Sequence, residues 1–418
     1  MKINYGFIAV LIVIMAAVAG GAYTLGTQHA GQDQADEQIA SGDSSKPTAS
    51  PIRAGTRMPA NHPSLPYGGN DMAGASNIKF TRYRVGRLNI KGIYADGRDV
   101  WVGTSGGLIR YNTQTNDFKV FNNKTPGILS NGVFFVSKLN DNILLGTYGG
   151  GMSAMNIKTG KWRNYNIPDG LADQFVYDVA KAPNGDVWIA TWSGANRVKG
   201  GHFDDPKAWT MYTVENTHHG LPNPWVYGVE VGKNGDMWFA TEMGLARFKD
   251  GKWTHWNHKD GLGADYDLVK DEIAATPDPS AVSSHHMHVK KSEGLGNIGV
   301  AYNPNYIISL AVDGDGTVWA GTWGAGLARY DGKKWRNFTT ADGLPGNHIF
   351  MLYLDPKGRL WIGTDHGLSR LKKDGKGFTT MTAADGLYAD DVFSMDFAKD
   401  GSVWVGSFGG LSHITSKL

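Results

Sequence analysis

The 418-residue chain contains no cysteine. That excludes a disulfide framework, a lipid-modified cysteine behind an export signal, a C-x-x-C-H haem site and a thiol nucleophile. It also lacks an excess of charge of either sign. Lys and Arg (41) nearly balance Asp and Glu (39), and no long basic run exists, which argues against nucleic acid as a partner. No G-x-S-x-G nucleophile motif is present either. Glycine is plentiful (57), with 14 Trp and 17 Tyr. Turn formers mixed with bulky strand formers suit an all-β protein.

Residues 1–26 differ from everything after them. Lys2 is their only charge, and the run from Tyr5 to Ala19 is almost wholly apolar. Ala17-Val18-Ala19 offers a signal-peptidase site. The uncharged stretch continues past it, long enough over residues 5–25 to anchor in a bilayer with Lys2 inside. Anchor and cleaved signal both place the remainder outside the cytoplasm: on a bacterial-type inner membrane facing the periplasm or exterior, or secreted. Residues 27–77 are rich in Gly, Ala, Ser, Pro, Asp and Gln without hydrophobic periodicity, the composition of a flexible linker.

From residue 78 to 418 a unit of roughly forty residues recurs, the signature of a propeller blade. Its core, W-x-G-T, stands at Trp101–Thr104, Leu144–Thr147, Trp188–Thr191, Trp238–Thr241, Trp319–Thr322, Trp361–Thr364 and Trp404–Ser407. Each core is followed by a glycine turn, and the first six then by an outer strand with bulky residues three apart, such as Trp162/Tyr165 and Trp253/Trp256. Odd spacing sends the two side chains to opposite faces of a strand, as blades packed on both sides require. The last core has no outer pair behind it, but Phe80/Tyr83 precede the first. The expectation is therefore a seven-bladed propeller closed by its N-terminal strand. Successive Thr positions are 43, 44, 50, 81, 42 and 43 residues apart, and the long interval marks an insertion at roughly 263–303.

The stretch from Asp342 to Arg370, DGLPGNHIFMLYLDPKGRLWIGTDHGLSR, resembles the two-component regulator propeller repeat. That resemblance implies a periplasmic sensor region with oligosaccharide-like ligands. The sequence given has one ring of repeats and no kinase, phosphoacceptor or DNA-binding region, so a signalling role would run through a partner. The repeats also resemble streptogramin lyase propellers, which implies fold only.

The turns after W-x-G-T and the loops leading into the inner strands are expected on one face. They offer Tyr148, Trp192, Trp225, Glu242, Trp323, His348, Asp365, His366, Asp391 and Phe408. Aromatics interleaved with hydrogen-bonding groups suit a glycan-like ligand or an envelope protein partner. A catalytic reading would use His348 or His366 as base, with Glu242 or Asp365 orienting it or holding a divalent metal. His285, His286 and His288 in the insertion are the most metal-like cluster. No cofactor is otherwise expected. The sequence thus favours a binding module, with a propeller lyase or hydrolase and a structural scaffold as alternatives.

Overall fold

The computed structural model describes residues 78–281 and 283–415. The anticipated anchor and linker lie outside them. Among the described residues no helix is long and apolar enough to cross a membrane. The described residues separate into two compact units, Lys270–Asn303 and the remainder.

The larger unit is an all-β propeller. Five of its sheets have four antiparallel strands, spanning 133–165, 176–212, 226–256, 303–338 and 349–381. The expectation of seven separate blades is corrected here, because the strands pair into six sheets. The sixth has six strands, in the order Val392–Phe397, Val403–Ile414, Phe80–Asp96, Asp99–Thr104, Gly107–Asn112 and Phe118–Phe121. Strand continuity is the reason. Phe80–Asp96 pairs with Val403–Ile414 through Phe80–Arg84, then runs on to pair with Asp99–Thr104 through Ile90–Asp96. Val403–Ile414 likewise carries the last W-x-G-S core and the G-L-S-H run as one strand. The first and last repeats are thereby hydrogen-bonded into a single sheet.

The repeat residues have distinct jobs. The threonine of the core is buried and its Oγ1 donates to the carbonyl across the following turn: Thr104 to Gly107 at 2.8 Å, Thr191 to Gly194 at 2.8 Å, Thr241 to Gly244 at 2.7 Å. That bond satisfies a buried hydroxyl and fixes the turn. The core tryptophan faces the arginine of G-L-x-R on the next strand, as in Trp101↔Arg110 and Trp238↔Arg247. The guanidinium lies over the indole at 5.2 and 5.4 Å respectively. Where the second repeat has Leu144 in place of tryptophan, Ala154 takes the arginine's place opposite it.

The outer pairs split as their spacing requires. Trp253 packs in the cluster with Trp188, Leu221 and Phe239, whereas Trp256 joins Leu262, Ile307 and Val318 on the other side of the sheet. Phe378 and Met381 divide in the same way between two clusters. Each sheet therefore buries both faces, and apolar area removed from water holds the propeller together without disulfides.

The smaller unit contains the helix Ser284–Ser292, capped by Ser283, and a bridge between Pro277 and Val300. Lys290 is 5% exposed. Its Nζ pairs with Asp278 and donates to the carbonyls of Ile298 at 2.5 Å and Val300 at 2.8 Å.

Candidate functional site

The site of the larger unit is built on its inner strands. In six of them the ladder register slips and leaves one extra residue: Lys91, Phe134, Tyr177, Tyr227, Phe350 and Phe393. A β-bulge bends the strand and re-aims the side chain it carries. Five of the six bulge residues are aromatic, and neighbours touch across sheet boundaries. Ring centroids are 5.1 Å apart for Phe134–Tyr177, 5.0 Å for Tyr177–Tyr227 and 5.1 Å for Phe350–Phe393. Tyr306 and Trp323 fill the interval, with Tyr227–Tyr306 at 5.0 Å, Tyr306–Trp323 at 5.8 Å and Trp323–Phe350 at 6.1 Å.

A second row comes from the turns. Tyr148 meets Phe175 at 4.5 Å, Phe175 meets Trp192 at 4.4 Å, and Trp192 meets Trp225 at 4.5 Å, all edge-on. Phe134–Tyr148 (5.6 Å) and Trp225–Tyr227 (6.4 Å) join the rows into one belt. Edge-to-face pairs hold their partners' orientations more tightly than apolar contact alone. Of the residues expected on this face, Tyr148, Trp192, Trp225 and Trp323 all belong to the belt. Phe408 is half-buried and sits opposite Asn89 on the neighbouring strand.

Glu242 is 1% exposed and lies close enough to the tyrosines to act on them. Burial raises the hydroxyl pKa of Tyr177, Tyr227 and Tyr306 well above 10, and the Glu242 charge pushes each in the same direction. These phenols are neutral hydrogen-bonding groups at any physiological pH.

A second cluster borders the belt. His348 Nδ1 lies 3.1 Å from Asp365 Oδ2, and His366 Nδ1 lies 3.1 Å from Asp365 Oδ1. One carboxylate thus bridges two imidazoles. His348 packs its ring 5.0 Å from Trp323, to which it is also bridged through the backbone. Burial alone would raise the Asp365 carboxyl, but hydrogen bonding to His348 and His366 outweighs it and holds the group well below the usual carboxylate range. Its ion-pair contact with Asp365 lifts His366 to about 9. Burial lifts the Asp391 carboxyl to about 6, reinforced by Asp365 and Asp390 and opposed by His366 and Lys91. His348, Asp365, His366 and Asp391 are therefore one electrostatic group, while Glu242 acts on the tyrosines.

In the smaller unit the three insertion histidines differ in setting: His286 is buried, His285 half-buried and His288 exposed. Their helix spacing cannot present all three on one face. The inner-strand residues Lys91, Phe134, Tyr177, Tyr227, Tyr306, Phe350 and Phe393 are absent from the sequence-derived set. Their signal was available, since most follow the first apolar residue of their strand, but that position reads as ordinary core.

Residues 170–193, 301–324 and 343–366 match the family model described as two component regulator propeller. The chain carries two component regulator propeller repeats. Among curated proteins none matches the sequence. Solved structures share the fold of these repeats at low identity. The extracellular domain of a protein assigned as a hybrid two component system of B. thetaiotaomicron is 17% identical with a TM-score of 0.59, covering 79% of this chain. This chain spans only 40% of that domain's length. Virginiamycin B lyase from Staphylococcus aureus, crystallised in an inactive form with quinupristin, is 14% identical with a TM-score of 0.56, over 81% of this chain and all of that one. YCF48 bound to a D1 peptide is 12% identical with a TM-score of 0.53, over 81% of this chain and 97% of that one.

Proposed function

We propose that this protein is an extracytoplasmic binding propeller, tethered through its N-terminal apolar run, that takes a glycan-like ligand or a segment of an envelope protein on its aromatic face. The observation carrying this reading is the belt itself. Two linked rows of ring contacts run from Tyr148 and Phe134 to Phe393, with the His348–Asp365–His366 group at their border. Flat apolar faces with a few fixed polar groups are the chemistry of sugar and peptide recognition. The extracellular origin of a structural relative agrees with the expected location.

The test is a screen of glycans and envelope extracts against wild type, Trp192→Ala and Trp323→Ala. Loss of a captured ligand in both variants supports the reading. A ligand retained by both, with folding intact, sinks it.

One arrangement favours a second reading. Asp365 between His348 and His366 has the geometry of an oriented acid–base group, so a propeller lyase or hydrolase remains the rival. Turnover of a bound ligand that is abolished in His348→Ala would favour it, whereas stoichiometric binding without turnover favours the module.

A further inference from the structure

Lys91 is the exception in the belt. It occupies the bulge position that carries an aromatic in the five other slipped strands, and its Nζ lies 4.7 Å above the Phe393 ring. The ladder of ring contacts reaches Phe393 on one side and Phe134 on the other, and Lys91 stands next in order between them. Among the described residues no carboxylate lies within ion-pair distance of its ammonium. Asp391 acts on it only from beyond that range. Burial lowers its pKa to about 8, so the group is still largely charged at neutral pH.

A half-buried ammonium whose acidic neighbour, Asp391, lies beyond ion-pair distance is only partly compensated, and a ring face offsets only part of the lost hydration. Such a cation is complete when an anion arrives with the ligand. We propose that Lys91 anchors the carboxylate of a ligand whose planar, ring-bearing body lies along the half-buried Phe350, with the buried Phe393 beneath the anchor. This inference rests on the binding reading above and adds a charge requirement to it. The anchor donates up to three hydrogen bonds, and the bulge places it where ring faces already line the path.

The experiment is calorimetric titration of the full chain with 3-phenylpropanoate, its neutral amide and phenyl phosphate, using wild type, Lys91→Met and Lys91→Arg. Circular dichroism would establish that each variant folds. Wild type should bind the carboxylate at least about ten-fold more tightly than the amide, which is roughly the contribution of one charge-assisted hydrogen bond. Lys91→Met should erase that preference and Lys91→Arg should retain most of it. Equal binding of acid and amide by wild type, or a preference that survives Lys91→Met, overturns the proposal. Preference for the phosphate over the carboxylate overturns the carboxylate assignment. Silence from all three probes also overturns it, and the glycan and envelope screen with the tryptophan variants then decides separately whether the binding reading stands.

Discussion

His348 Nδ1 and Asp365 Oδ2 are 3.1 Å apart, and the histidine side chain is 1% exposed. The other carboxylate oxygen holds the more open His366, whose side chain is 60% exposed. One buried acid thus sets the protonation of a histidine that solvent and ligand can reach. With its pKa raised to about 9, His366 is charged throughout the physiological range.

Replacing Asp365 with Asn should return the His366 pKa from about 9 towards its ordinary value near 6.5, readable by proton NMR titration. The sign of the stability effect follows from linkage. Because the folded-state pKa is raised, the contribution of His366 is fully present below about 6.5 and is lost as pH rises through about 9. Solvent screening at this exposed side chain limits it to about 1 kcal/mol or less. Urea midpoints measured from pH 6 to 10 should fall in wild type and stay flatter in the variant. Parallel curves would contradict the assignment.

The glycine of W-x-G-T marks a close approach between sheets. A Cβ built on Gly363 would meet the Val392 carbonyl oxygen of the next inner strand at 2.5 Å and the Val392 Cγ1 at 2.9 Å. Two repeats carry alanine there, Ala190 and Ala240, so the position tolerates a methyl where the neighbouring strand makes room. Gly363→Ala should cost about 1–3 kcal/mol, the usual penalty of overpacking, seen as a lower denaturation midpoint without a change in slope. No loss of stability would mean that the sheets are free to move apart at this point.

The framework of the propeller was legible because its roles are written as side-chain types at fixed spacing. Trp238 and Arg247 stack, Thr241 closes a turn, and Trp253 and Trp256 point to opposite faces for reasons that a strand's period alone supplies. The sheet count was not legible. Whether Phe80–Tyr83 ends one strand or begins a longer one depends on backbone continuity through Val85–Leu88, which composition does not encode. The site was half legible. Trp192 and Trp225 stand out in a turn and a loop, and Trp323 at the very end of its strand, where large aromatics need an explanation. Tyr177 and Phe393 sit in apolar runs and read as ordinary core, because the bulge that re-aims them is not written in the strand's alternation.

Lys290 holds the smaller unit together. Its ammonium takes Asp278 and two carbonyls from the segment leading to the Pro277–Val300 bridge, all nearly out of contact with water. Lys290→Met keeps the length and apolar stem but leaves Asp278 as a buried, unmatched carboxylate, a loss of about 3–5 kcal/mol for the unit. Hydrogen exchange should rise across 270–303 while the strands of the propeller keep their protection. Unchanged exchange in 270–303 would show that the ion pair is dispensable.

Glu230 and Asp178 form another perturbed pair. Burial and the neighbouring Asp178 charge raise Glu230 to about 8, and burial raises Asp178 to about 6 despite the backbone amides of Val229 and Val179 that it accepts. The sign here is opposite to the usual surface carboxylate. A folded-state pKa above the unfolded one means the native protein holds the extra proton, so stability falls as pH rises from about 4.5 to about 8. Glu230→Gln keeps the shape and removes the ionisation. At pH 8 it should be more stable than wild type by about 2 kcal/mol, a figure reduced for the partial solvent contact of the side chain, with the difference vanishing near pH 4.5. Denaturant melts at pH 4.5, 6 and 8 would test this. A variant less stable than wild type at pH 8 would mean that Glu230 is ionised and satisfied in the native state, by a cation or by ordered water that offsets its burial.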